Sequence, residues 1–171
     1  MSRPAGLLVS GVTAVAACAG GGAGLELSWS RDSTSGRFEA PARAVRCDGG
    51  RLLVTAIAGD TGFGVLVAGP DSASDSIPGG RLAVADPGAG PLPRPGAGLS
   101  FRMPGEGGSR GYQGREGSLD LAADGPGWGG RFDGRMVSLD AAETLAVEGR
   151  FRVAGPVPAG ACDDSAAAEL P

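Results

Sequence analysis

The 171-residue chain contains no histidine, no lysine and no asparagine, and all 15 of its basic residues are arginine. Without histidine there is no Ser-His-Asp or Cys-His nucleophile system and no imidazole metal ligand. Without lysine there is no Ser-Lys dyad and no Schiff-base chemistry. Carboxylate chemistry is what remains. The formal net charge of −4 argues against a nucleic-acid binder, which needs a basic face to release counterions. No stretch beyond the N-terminal segment is apolar enough to cross a membrane, and no window carries a helical period: the long apolar faces have period two, and Gly or Pro rarely stays away for a dozen residues.

What is present begins at the N-terminus. Met1-Ser2-Arg3-Pro4 carries one positive charge, an apolar run follows from Ala5 to Ala14, and small residues close it. That is the order of an export signal. As a helix the run is roughly 20 Å long at about 1.5 Å per residue, short of a hydrocarbon core of roughly 30 Å. It ends in Val15-Ala16-Ala17-Cys18, which resembles the lipobox of bacterial lipoproteins: an aliphatic residue, two small ones, then cysteine. The resemblance implies thioether lipidation of Cys18, cleavage before it and an acylated new N-terminus. Two or more acyl chains hold a protein on a bilayer where one is marginal. Residues 1–17 are thus expected to be a signal peptide. The glycine- and alanine-rich stretch 18–24 is expected to be a flexible tether reaching roughly 12–15 Å.

Three cysteines in an exported chain leave one over. Lipidation of Cys18 resolves the count and leaves Cys47 and Cys162, expected to form a disulfide in an oxidising compartment. Two cysteines without histidine are too few for a structural zinc site, so no metal and no cofactor is expected.

Between residues 25 and 162 strand signals dominate. Leu25, Leu27 and Trp29 alternate with polar residues; Arg31–Gly36 reads as a polar turn; Phe38 and Ala40 start an extended run that Pro41 interrupts. Val45 and Cys47 are expected to face inward. Three antiparallel strands joined by tight turns are predicted from Ala44 to Gly69, followed by Leu82–Val84 and Leu99–Met103. Asp86–Gly98 and Pro104–Gly117 read as loops because of their proline and glycine density. Trp128, Gly130, Phe132, Gly134 and Met136 share one face, as do Leu145, Val147, Gly149, Phe151 and Val153. Gly-Arg-Phe occurs at residues 36–38, 130–132 and 149–151 at unequal spacings, a strand idiom rather than a repeat array. About nine or ten short strands with frequent turns indicate an all-β fold, an antiparallel β-sandwich, with a flattened β-barrel as the alternative. Residues 163–171 read as a disordered tail.

Val45-x-Cys47, the glycines after it, an aliphatic strand ending at Gly59 and a second cysteine near the C-terminus resemble the LpqH type of mycobacterial lipoprotein antigen. The resemblance implies an exported, lipid-anchored, β-rich protein; it brings no active site.

Candidate chemistry is sparse. Asp60-Thr61-Gly62 matches the Asp-Thr-Gly of aspartic proteases but has no second copy, and a hairpin turn between two apolar strands explains it. Asp71, Ser74, Asp75 and Ser76 offer oxygens for calcium at a spacing that fits no defined loop. Trp29, Trp128 and Phe132 have the inward phase of core residues. Tyr112, with Arg110 and Arg115, is the candidate for ligand contact. The expected role is that of a non-enzymatic lipoprotein on the outer face or periplasmic side of a bacterial membrane, held there through Cys18 and meeting a protein or envelope partner. The alternative is a carrier or binding module for an apolar ligand or a glycan, for which Gly130, Gly134 and Gly149 would have to line a cavity.

Overall fold

The computed structural model describes residues 22–70, 76–105 and 107–158. The signal segment, Cys18, the loop at 71–75, Cys162 and the tail lie outside the described residues. Among the described residues eleven strands run in chain order: β1 Gly24–Arg31, β2 Thr34–Ala40, β3 Ala42–Cys47, β4 Arg51–Ala58, β5 Thr61–Ala68, β6 Gly80–Ala85, β7 Gly96–Gly105, β8 Gly108–Asp124, β9 Gly127–Ser138, β10 Thr144–Val153 and β11 Val157–Pro158. The only helical turn among the described residues is Pro87–Ala89.

All eleven strands belong to one sheet, in the order β11-β3-β4-β5-β7-β6-β8-β9-β10-β1-β2, with β7 also paired to β8. The sheet is open, not a closed barrel. It becomes a sandwich by curling until its two flanks face each other. Strand β8 makes this possible. Its first half pairs with β7 (Ser100↔Gln113 to Gly105↔Gly108) and its second half with β6 (Ala85↔Glu116 to Gly80↔Leu121). A register shift against β9 falls between Gly114 and Glu116, and such a bulge bends the strand and increases its twist. At the far corner the chain passes from β2 into β3 through Pro41, and the Ala42 N–H donates to the Ala23 carbonyl at 3.4 Å. Proline lacks the donor that would continue a ladder there.

The two flanks meet through aromatic rings. Phe63 on β5 stacks on Phe132 of β9 with centroids 4.9 Å apart and planes 15° apart. Phe101 on β7 packs against Phe38 of β2 with centroids at 6.2 Å. Around them Leu25, Leu27, Leu52, Val54, Val65, Leu99, Leu119, Met136 and Leu145 are buried, with Trp29 and Trp128 half-buried at the periphery. The inward phases expected for Leu25–Trp29, for β9 and for β10 are those observed.

The structure corrects four expectations. The polar turn is only Asp32-Ser33, because β1 and β2 stay paired from Leu25↔Ala40 to Arg31↔Thr34. On β3 the core side carries Ala42 and Ala44, and Val45 is half-buried on the other face, while Cys47 is buried as expected. The segment 108–117 is strand, not loop. Its glycines mark close approach: a Cβ on Gly117 would lie 2.1 Å from the Asp133 carbonyl oxygen, and one on Gly114 would lie 3.0 Å from Val84 Cγ1. Finally, the space above Gly130 and Gly149 is full. A Cβ there would sit 2.4 Å from the Phe151 ring and 2.5 Å from the Phe132 ring respectively, while one on Gly134 would sit 2.8 Å from the Glu116 carbonyl oxygen.

Candidate functional site

Two features of the described residues gather polar side chains. The first lies at the end of the sandwich where β1 finishes. The turn after β9 is closed by its own hydrogen bonds: the Ser138 N–H donates to the Glu143 carbonyl at 2.9 Å, and the Ala141 N–H to the Ser138 carbonyl at 2.8 Å. The Ser138 hydroxyl donates to Asp140 Oδ1 at 2.5 Å and accepts the Glu143 N–H at 2.9 Å. Asp140 also accepts the Ala142 N–H, and these bonds, the Ser138 hydroxyl foremost, hold its carboxyl below the usual aspartate range.

The turn delivers Glu143 to three donors. The Tyr112 hydroxyl donates to its Oε2 at 2.6 Å, and the guanidinium groups of Arg110 and Arg31 both pair with the carboxylate. Tyr112, Arg110 and, to a smaller extent, Arg31 lower the Glu143 carboxyl to about 2. Burial, then the neighbouring anion, pushes the Tyr112 phenol up. A small hollow of about 360 Å³ opens beside the group, lined by Arg31, Pro104, Gly105, Arg110, Tyr112 and Glu143.

Tyr112 and Arg110 are therefore brought together as the sequence suggested, but not as exposed contacts. Tyr112 is 3% exposed and its ring belongs to the core, 6.4 Å from that of Phe101. Arg115 lies apart, paired with Asp86. Glu143 and Arg31, which complete the group, carried no signal beyond their places at turns.

The second feature is a groove on the outer face of β8, β9, β10, β1 and β2. Its widest part has a volume of about 960 Å³. A second hollow of about 510 Å³ shares Ser28, Arg37, Asp133 and Glu148 with it, and a third of about 420 Å³ shares Arg131 and Arg150 with the second. Register puts the outward side chains in cross-strand rows. One row is Glu116–Arg135–Ala146–Ser30–Ser35, the next Ser118–Asp133–Glu148–Ser28–Arg37, the third Asp120–Arg131–Arg150–Glu26–Glu39. Small side chains at Ser30, Ser35, Ala146 and Ser28 form the floor.

Part of this face is tied up. Arg150 makes a bidentate pair with Glu26 at 2.8 to 3.1 Å, Arg135 pairs with Glu116 at 3.0 Å, and the Ser118 hydroxyl donates to Asp133 at 2.6 Å. Arg37, Arg131, Glu39 and Glu148 enter no side-chain hydrogen bond or ion pair among the described residues. The sequence showed these residues as the polar side of alternating strands; the groove follows from register, which alternation alone does not give.

The remaining sequence candidates do not converge. Asp60 sits in the β4–β5 turn, where its carbonyl accepts from Arg102 Nε at 3.4 Å. Asp71, Ser74 and Asp75 lie outside the described residues. No cluster of three or more His, Cys, Asp or Glu side chains with metal-holding geometry occurs among the described residues. Cys47 is buried at the end of β3; Cys162, its expected partner, lies outside the described residues.

No family model, no curated protein and no solved structure matches this chain.

Proposed function

We propose that the protein is an exported lipoprotein, held on the outer face or periplasmic side of a bacterial membrane by acylated Cys18. Its β-sandwich then acts as a non-enzymatic interaction module towards a protein or envelope partner. The observation that carries this reading is Val15-Ala16-Ala17-Cys18 closing an apolar segment, with the cysteine six residues before the first strand residue, Gly24. A tether that short keeps the β1 start close to the bilayer. It leaves the Arg31–Glu143 end about 25 Å further out, the length of an eight-residue strand. In this reading Cys47 pairs with Cys162, and the pairing follows from an oxidising compartment and an even count once Cys18 is lipidated. The aromatic rings seated over Gly130 and Gly149 weigh against an apolar cargo held between the sheet's flanks at those positions.

Replacing the anchor cysteine tests the reading. Expressed in a bacterium with lipoprotein processing, the native chain is expected in the membrane fraction and the detergent phase. The Cys18→Ser chain is expected in the aqueous phase with unchanged thermal unfolding. Equal partitioning of the two chains contradicts the proposal.

A further inference from the structure

We infer that the outer groove across β8–β9–β10–β1–β2 is a binding site for a neutral, hydroxyl-rich polymer, a polysaccharide chain. This names a ligand class for the interaction module proposed above, but the site itself does not depend on lipidation.

The groove's shape suits an extended ligand. Its three hollows adjoin and cross five strands, about 19 Å at roughly 4.8 Å per strand spacing. The chemistry then selects the ligand. An apolar ligand would meet Trp29 and Val147 in the first hollow, but beside serine hydroxyls and charged walls, and burying those polar groups without partners is costly. An anionic polymer is repelled, since five arginines face seven carboxylates along the three hollows. A cationic polymer finds the side chains without partners divided between two cations, Arg37 and Arg131, and two anions, Glu39 and Glu148, so part of its attraction is matched by repulsion. A neutral ligand whose every unit offers adjacent donors and acceptors meets no such conflict. Guanidinium N–H groups donate in a fixed fork, carboxylates accept on two oxygens, and serine hydroxyls do both. Arg37 and Glu148 stand on either side of Ser28 in a single cross-strand row. That row offers donor, hydroxyl and acceptor in succession. A peptide offers backbone donors and acceptors too, but its apolar side chains would find an apolar lining only in the third hollow, at Ala122, Ala123 and Phe151.

Affinity electrophoresis of the full, detergent-solubilised chain tests the inference. The gels would contain a dextran, a mannan or a galactan, with heparin, polyglutamate and polylysine gels as the ionic and peptide comparisons. Retardation is expected in at least one neutral polysaccharide and in none of the others. Ser30→Trp, which fills the floor at an exposed position, and the double variant Arg37→Ala/Glu148→Ala should each weaken it at least tenfold. Thermal unfolding of each variant establishes that it is folded; if Ser30→Trp is not, the double variant decides. No retardation by any of the three polysaccharides overturns the inference. So does retardation that both variants leave intact, or binding confined to the charged polymers. Cys18→Ser should bind as the native chain does, so loss of membrane partitioning and loss of polysaccharide binding are separate results.

Discussion

At Glu143 three donors from distant parts of the chain, Tyr112, Arg110 and Arg31, converge on one carboxylate and lower it to about 2. In the unfolded chain the group titrates near its ordinary 4.5, so the folded state binds its proton more weakly. The stabilisation it brings is therefore complete above about pH 4.5 and is lost as the pH falls towards about 2. Glu143→Gln should lower the melting temperature at pH 7, and the difference from the native chain should shrink steadily between pH 4.5 and 2.5; a pH-independent difference would contradict the assignment. Tyr112→Phe keeps the buried ring and removes one hydrogen bond to a charged group. A loss of about 1.5–3 kcal/mol is expected by denaturant unfolding. Tyr112 shows why part of this site was hidden in the sequence. Gly111, Gly114 and Gly117 around it read as loop formers, whereas in the fold they are where neighbouring chain comes too close for a side chain: Leu139 Cδ1 lies 2.9 Å from where a Cβ of Gly111 would be. Density of glycine marks close approach as well as turns, and only the partner strand tells the two apart.

Among the elements, the Gly-Arg-Phe idiom has a structural meaning that the sequence did not disclose. β9 and β10 pair so that Gly130 faces Phe151, Arg131 faces Arg150 and Phe132 faces Gly149. Each phenylalanine ring lies over the glycine opposite, and Trp29 lies over Gly36 in the same manner. The idiom places a ring and a vacancy on the core face and an arginine on the outer face of each strand. Two like charges directly opposite are unfavourable; Glu26 relieves Arg150 by a bidentate pair, and Arg131 is left for the groove. Gly149→Ala and Gly130→Ala should each destabilise the domain by about 1–3 kcal/mol through overpacking. Gly24→Ala, whose Cβ meets nothing closer than 3.7 Å, should change stability by less than about 0.5 kcal/mol. Urea unfolding of the three variants measures this ordering, and equal effects would contradict it. The facing of β1, β9 and β10 was legible because period-two alternation is long there. Register was not, since nothing in one strand's pattern says which residue of its neighbour stands opposite.

For the whole molecule, the all-β class and the sandwich could be read from strand and turn signals; the single open sheet could not. It depends on β8 exchanging partners along 17 residues, through a segment whose composition suggests a loop. Two ring pairs, Phe63–Phe132 and Phe38–Phe101, join the flanks within one core. Phe132→Ala, which removes one half of the stack with Phe63, should cost about 3–5 kcal/mol and show as a large fall in the urea midpoint. Reduction of the proposed Cys47–Cys162 bridge frees a loop of about 116 residues, for which chain-entropy models give roughly 4–5 kcal/mol. Both changes act on the same cooperative unit, since one core runs through both flanks. The proposed membrane anchor at Cys18 is open to direct measurement, by the intact mass of the native protein extracted from bacterial membranes. The expected result is a chain beginning at Cys18 that carries acyl mass on that residue and is two hydrogens lighter for one disulfide. A chain that begins at Cys18 without acyl mass, or that keeps residues 1–17, would contradict it.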